Sequence, residues 1–78
     1  MGRPTTADIR TLARGIAEYI TYECDGVAQG FEIEYNGLTA FVDYRGEQNT
    51  DTAVIADVWN AYGHECPDIA DALQLLIN

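Results

Sequence analysis

Near the start of the chain, apolar residues recur at helical spacing. Ile9, Leu12, Ala13, Ile16 and Ile20 fall on one stripe, with Cys24 one turn further. Arg10, Arg14 and Glu18 line another face, where Arg14 and Glu18 have the spacing of a salt bridge. Thr5 stands where a helix cap belongs, and Asp8 follows three residues later, close to a capping box. Asp25-Gly26 supplies the stop. The spacing therefore predicts a helix over residues 5–24. Gly15 inside it costs roughly 1 kcal/mol against Ala, which implies close packing at that point.

The period then changes to two. Phe31, Ile33 and Tyr35 alternate with Glu32 and Glu34, and Asn36-Gly37 follows, a strong signal for a two-residue hairpin turn. Leu38 to Tyr44 is the return strand. A two-residue turn fixes the register: Tyr35 faces Leu38, Ile33 faces Ala40, and Phe31 faces Val42. Those six share one apolar face. The other face carries Glu32, Glu34, Thr39, Phe41 and Asp43, so turn and pattern agree.

Residues 45–51 form a polar connection. Residues 52–62 fit either element. Ala53, Ala56 and Asp57 tolerate a helix, whereas Val54, Ile55, Val58, Trp59 and Tyr62 favour a strand. As a strand, Val54, Ala56 and Val58 point to the core, and Ile55, Asp57 and Trp59 join the acidic face. Gly63 breaks it. Pro67 suits the first turn of a second helix over residues 67–77, with Asp68 and Asp71 near its positive end and a stripe of Ile69, Ala72, Leu73 and Leu76. The expected architecture is α+β: helix, three-stranded antiparallel sheet, helix (αβββα). Both helices lie on one sheet face and the other face is open. The 78 residues allow one domain, 1–78.

Charge gives this face a direction. Thirteen Asp and Glu stand against four Arg and no Lys, for a net charge of −9. The distribution is one-sided. Residues 1–17 hold Arg3, Arg10 and Arg14 against Asp8, a net of +2, and residues 18–78 hold twelve acids against Arg45, a net of −11. Such a field repels nucleic acid and anionic membrane and attracts basic surfaces. The hydrophobic content of 47% argues against disorder. No signal peptide or membrane span is legible, and two cysteines make no disulfide framework, so a reducing cytoplasm is expected.

The candidate partner-binding residues are Glu32, Glu34, Asp43 and Asp57, with Phe41 and Trp59 among them. Glu32 and Glu34 stand roughly 6.6 Å apart at strand rise, of the order of phosphate spacing along a nucleic-acid strand. Acids around exposed aromatics have the anatomy of an interface, with anchors in the middle and steering charges around them. The plainer alternative is an ordinary solvated sheet face. A further one is self-pairing into a homodimer, which the like charges oppose.

Catalytic chemistry finds little purchase. His64, Cys66 and Cys24 are too few for a zinc site, and no CxxC occurs. Cys66 at a helix start invites a lowered thiol pKa, but packing cysteines are the better reading. There is no glycine-rich phosphate loop, and a chain this short leaves little room for an enclosed pocket. The expectation is a non-enzymatic protein with no cofactor and no metal.

Two passages, Phe31-Glu32-Ile33-Glu34-Tyr35-Asn36-Gly37 and Cys66-Pro67-Asp68-Ile69-Ala70-Asp71, together with size and acidity, resemble the anti-CRISPR proteins. Within these the chain is most similar to inhibitors of type I-C systems. The resemblance lies in size and character, not in a motif, and so assigns no residue. It implies binding to the Cascade surveillance complex of a host cell, at basic backbone subunits that track target DNA. An anti-restriction or other DNA-mimic inhibitor fits the same physics. A structural or adaptor module is the alternative from another class.

Overall fold

The computed structural model describes residues 5–46 and 56–77. Helix α1 spans Thr6–Tyr19 and continues into a π-helical turn, Ile20–Cys24. Strands β1 (Gln29–Tyr35), β2 (Leu38–Tyr44) and β3 (Ala56–Asn60) follow, and helix α2 (Pro67–Ile77) ends the described chain. The sheet is antiparallel throughout, in the order β1-β2-β3. This is the expected αβββα arrangement.

Each boundary has a local cause. The Thr5 hydroxyl accepts from the Asp8 N–H and the Asp8 carboxylate accepts from the Thr5 N–H, both at 3.1 Å, closing the capping box. At the far end the helix widens instead of ending as a regular α-helix. The Thr21 hydroxyl donates to the Ala17 carbonyl at 2.8 Å, a bond that competes with the helix ladder and bends helices. Ile20 and Cys24, at the two ends of this turn, are both buried. Asp25 and Gly26 then take left-handed conformations, φ 50° and 76°, and stop the helix.

Asn36 and Gly37 both have positive φ, 50° and 79°, as a hairpin turn of the primed type requires. The register is the one the pattern implies: Tyr35 with Leu38, Ile33 with Ala40, Phe31 with Val42. Residues 56–60 form a strand, which removes the helical alternative for that stretch. Val54 and Ile55 lie outside the described residues.

The strand stops earlier than the position of Gly63 suggests. The Asn60 side-chain carbonyl accepts from the backbone N–H of Tyr62 and His64 at 2.9 and 3.0 Å. That local bonding folds residues 60–64 into a turn. Tyr62, expected in the strand, is instead 83% exposed at this turn. The chain then returns along the outer edge of β3, where the Asn60 N–H donates to the His64 carbonyl and the Cys66 N–H to the Val58 carbonyl, both at 2.8 Å.

One core lies between the sheet and the two helices. Leu12, Ala13, Ile16, Ile20 and Cys24 meet Ala40, Val42, Tyr44, Ala56 and Val58, with Ile69 and Leu73 from α2. Every one of those sheet residues belongs to the face predicted as apolar, so both helices sit on it. Gly15 does lie against this layer, but a methyl there would rest 3.6 Å from an Ile33 methyl, an ordinary contact. The helix approach therefore has room for a side chain, contrary to the close packing expected. The Tyr19 ring stacks on Phe31 with centroids 4.1 Å apart, tying α1 to β1.

Candidate functional site

The opposite sheet face carries the predicted partner-binding residues in three cross-strand rows. Glu34 stands beside Thr39. Glu32, Phe41 and Trp59 form the second row, one from each strand. Gly30, Asp43 and Asp57 form the third. Glu32, Glu34 and Asp43 are exposed, and Asp57 and Trp59 are half-buried. Phe41 is 42% exposed, a large fraction for a residue in the middle strand. Gly30 has no side chain to cover its neighbours, and a shallow open hollow of about 400 Å³ lies beside it, bounded by Glu32, Phe41 and Trp59. The six predicted residues are thus brought together on one surface, with Phe41 and Trp59 as a cross-strand aromatic pair at its centre.

One of the four carboxylates differs from the rest. Asp57 is engaged by the Arg45 guanidinium. Asp43 and Asp57 are directly opposite in register, and like charges so placed destabilise a sheet. Arg45, just beyond the end of β2, offsets this. The exposed carboxylates of this face are therefore Glu32, Glu34 and Asp43. Sequence reasoning missed Arg45, although the signal was there: the register sets two aspartates face to face, and Arg45 is the one cation after residue 17. Arg45→Ala is expected to cost up to about 1 kcal/mol, the range of partly exposed pairs. Asp57→Asn should remove most of that cost, which urea unfolding of the two single variants and the double variant measures. Equal destabilisation with and without Asp57 would show that the pair does not matter.

The helix side has the opposite character. Arg10 and Arg14 border a hollow of about 180 Å³ with Ala72, Leu75 and Leu76. Arg14 and Glu18 form no ion pair. Leu75 is 83% exposed there.

The two thiols pack at the core. Cys24 is buried and Cys66 half-buried, and both are free. Burial pushes the Cys66 thiol up, and Asp68 adds to the shift. The direction is opposite to the lowering that a place at the start of a helix invites, because burial disfavours the charged thiolate. Burial, then Glu23, raises Cys24 likewise. Among the described residues no three His, Cys, Asp or Glu side chains converge on a metal-sized point, and no helix is long and apolar enough to cross a membrane.

The chain matches no protein-family model, no curated protein and no solved structure.

Proposed function

We propose that the chain is a non-catalytic inhibitor that mimics DNA and covers a basic nucleic-acid channel on another protein. The observation that supports this is the open face: exposed Glu32, Glu34 and Asp43 around Phe41 and Trp59. Carboxylates stand in for phosphates, and the aromatic pair adds a contact that excludes water. The net charge of −9 draws basic surfaces from a distance. The resemblance to anti-CRISPR inhibitors makes the Cascade complex of a type I-C system the first partner to test, at its DNA-tracking backbone subunits.

The experiment is competition. Purified Cascade carries a labelled target duplex or meets it in the presence of the protein. The expected result is loss of DNA binding, weakened as salt rises toward about 0.5 M because the attraction is screened. The triple variant Glu32→Gln, Glu34→Gln, Asp43→Asn, checked for folding by circular dichroism, should be at least tenfold less potent. Undiminished potency of that variant would overturn the assignment of the face. The same assay with a restriction endonuclease in place of Cascade separates the anti-CRISPR reading from the anti-restriction one. Displacement of DNA from neither would count against mimicry.

A further inference from the structure

The two edges of the sheet are treated differently. In a two-residue hairpin the pair flanking the turn, Tyr35 and Leu38, exchanges both backbone bonds, and bonded pairs then alternate along the strands. Phe31, Ile33 and Tyr35 therefore direct their N–H and C=O groups to β2. Gly30, Glu32 and Glu34 direct theirs outward. The same count carried across the sheet leaves Val58 and Asn60 outward on β3. The structure bears this out, since the Val58 carbonyl and the Asn60 N–H are the groups taken by Cys66 and His64. The β3 edge is thus covered. No hydrogen bond among the described residues meets the outward groups of β1.

β1 is also long and regular for an edge strand. It pairs over seven residues without a bulge, and it contains no proline or lysine, devices that blunt exposed edges. What it does contain is Glu32 and Glu34, exposed on the open face. These charges select the occupant. A second copy pairing antiparallel about Ile33 would set Glu32 against Glu34 twice over, which is unfavourable. A strand with a basic residue opposite each glutamate is favoured instead. On the other face, half-buried Ile33 and Phe31 offer an apolar shoulder to the residues between.

We propose that β1 takes up a partner segment as a fourth, antiparallel strand in which lysine or arginine alternates with apolar residues. This rests on the reading of the open face as a site for a basic partner, and adds how the partner's backbone is held. Because Glu32 and Glu34 are the outward-bonding residues, the basic residues opposite them exchange main-chain bonds with them. The apolar residues between turn their N–H groups away.

That asymmetry gives the test. The probe is a nine-residue peptide alternating lysine and valine, titrated against the intact protein by NMR. It is compared with one version N-methylated at the lysines and one N-methylated at the valines. All three have the same charge. The expected result is binding of the first, with slowed exchange of the Glu32 and Glu34 amides. The valine-methylated peptide should bind comparably and the lysine-methylated one at least tenfold more weakly. Equal binding by the two methylated peptides would overturn strand addition while leaving a charge-led face intact. Absence of binding, or protection of β1 that grows with protein concentration alone, would overturn it as well. Failure of DNA competition with peptide binding intact would instead count against mimicry.

Discussion

Replacing Gly46 by alanine is expected to destabilise the fold by about 2 kcal/mol or more. Two costs combine there. Gly46 has φ +82°, a left-handed backbone that alanine enters at a penalty. A Cβ would also stand 2.9 Å from the Ala28 nitrogen, 3.2 Å from the Gly26 carbonyl oxygen and 3.3 Å from the Ala28 Cα. All three are backbone atoms, so no side chain can swing aside. The chain leaving β2 must pass directly over the chain entering β1. Gly37 supplies the control, for it has φ +79° and nothing within 4 Å of the point an alanine methyl would occupy. Gly37→Ala should cost about 1 kcal/mol, the conformational share alone. Urea midpoints of the two variants measure the difference, and equal midpoints would mean that the close passage yields.

Ile16→Ala is expected to remove a sizeable part of the stability margin. Ile16 has no exposed surface and lies in the middle of the core. Its truncation loses transfer energy and leaves a cavity, together about 2–5 kcal/mol. Alanine is the better helix former, so α1 itself gains slightly and the loss is attributable to packing. A domain of this size holds about 4–12 kcal/mol in total. The change therefore removes a sizeable part of the margin. Thermal unfolding by circular dichroism should show a midpoint lower by about 10 °C or more. A drop of only about 2–3 °C would mean that the sheet and helices collapse around the missing atoms.

The main lines of this fold are legible in the residues because several local signals agree. Asn36-Gly37 fixes a register, and that register puts Phe31, Ile33, Ala40 and Val42 on one face together. Thr5 and Asp8 mark a start that the backbone bonds realise. What stays hidden depends on side chains competing with the backbone. Thr21 back-bonding to Ala17 accompanies the π-helical turn, which the unbroken spacing of Ile16, Ile20 and Cys24 does not disclose. Asn60 folds the chain before the aromatic pattern of the strand runs out, so Tyr62 is placed wrongly by propensity. The candidate face is legible in membership but not in charge state. Period two assigns Asp57 to it, whereas the Arg45 contact crosses from the end of β2 to β3 and leaves no periodic trace. The direction of the Cys66 shift is not legible from spacing either. A position at a helix start is local, and burial is a property of the whole fold.

The first and last helices pack on each other across the sheet, with Leu12 and Ile16 sharing a core with Ile69 and Leu73. Strand pairing joins neighbours in the chain, but closing this core joins residues more than fifty positions apart. Among the described residues, the two helical stripes rest on the inner sheet face and on each other, and they are what covers that face. No described element is therefore self-sufficient. Cooperativity is built into the topology: the sheet, the two helices and the acidic face opposite them persist or vanish as one unit.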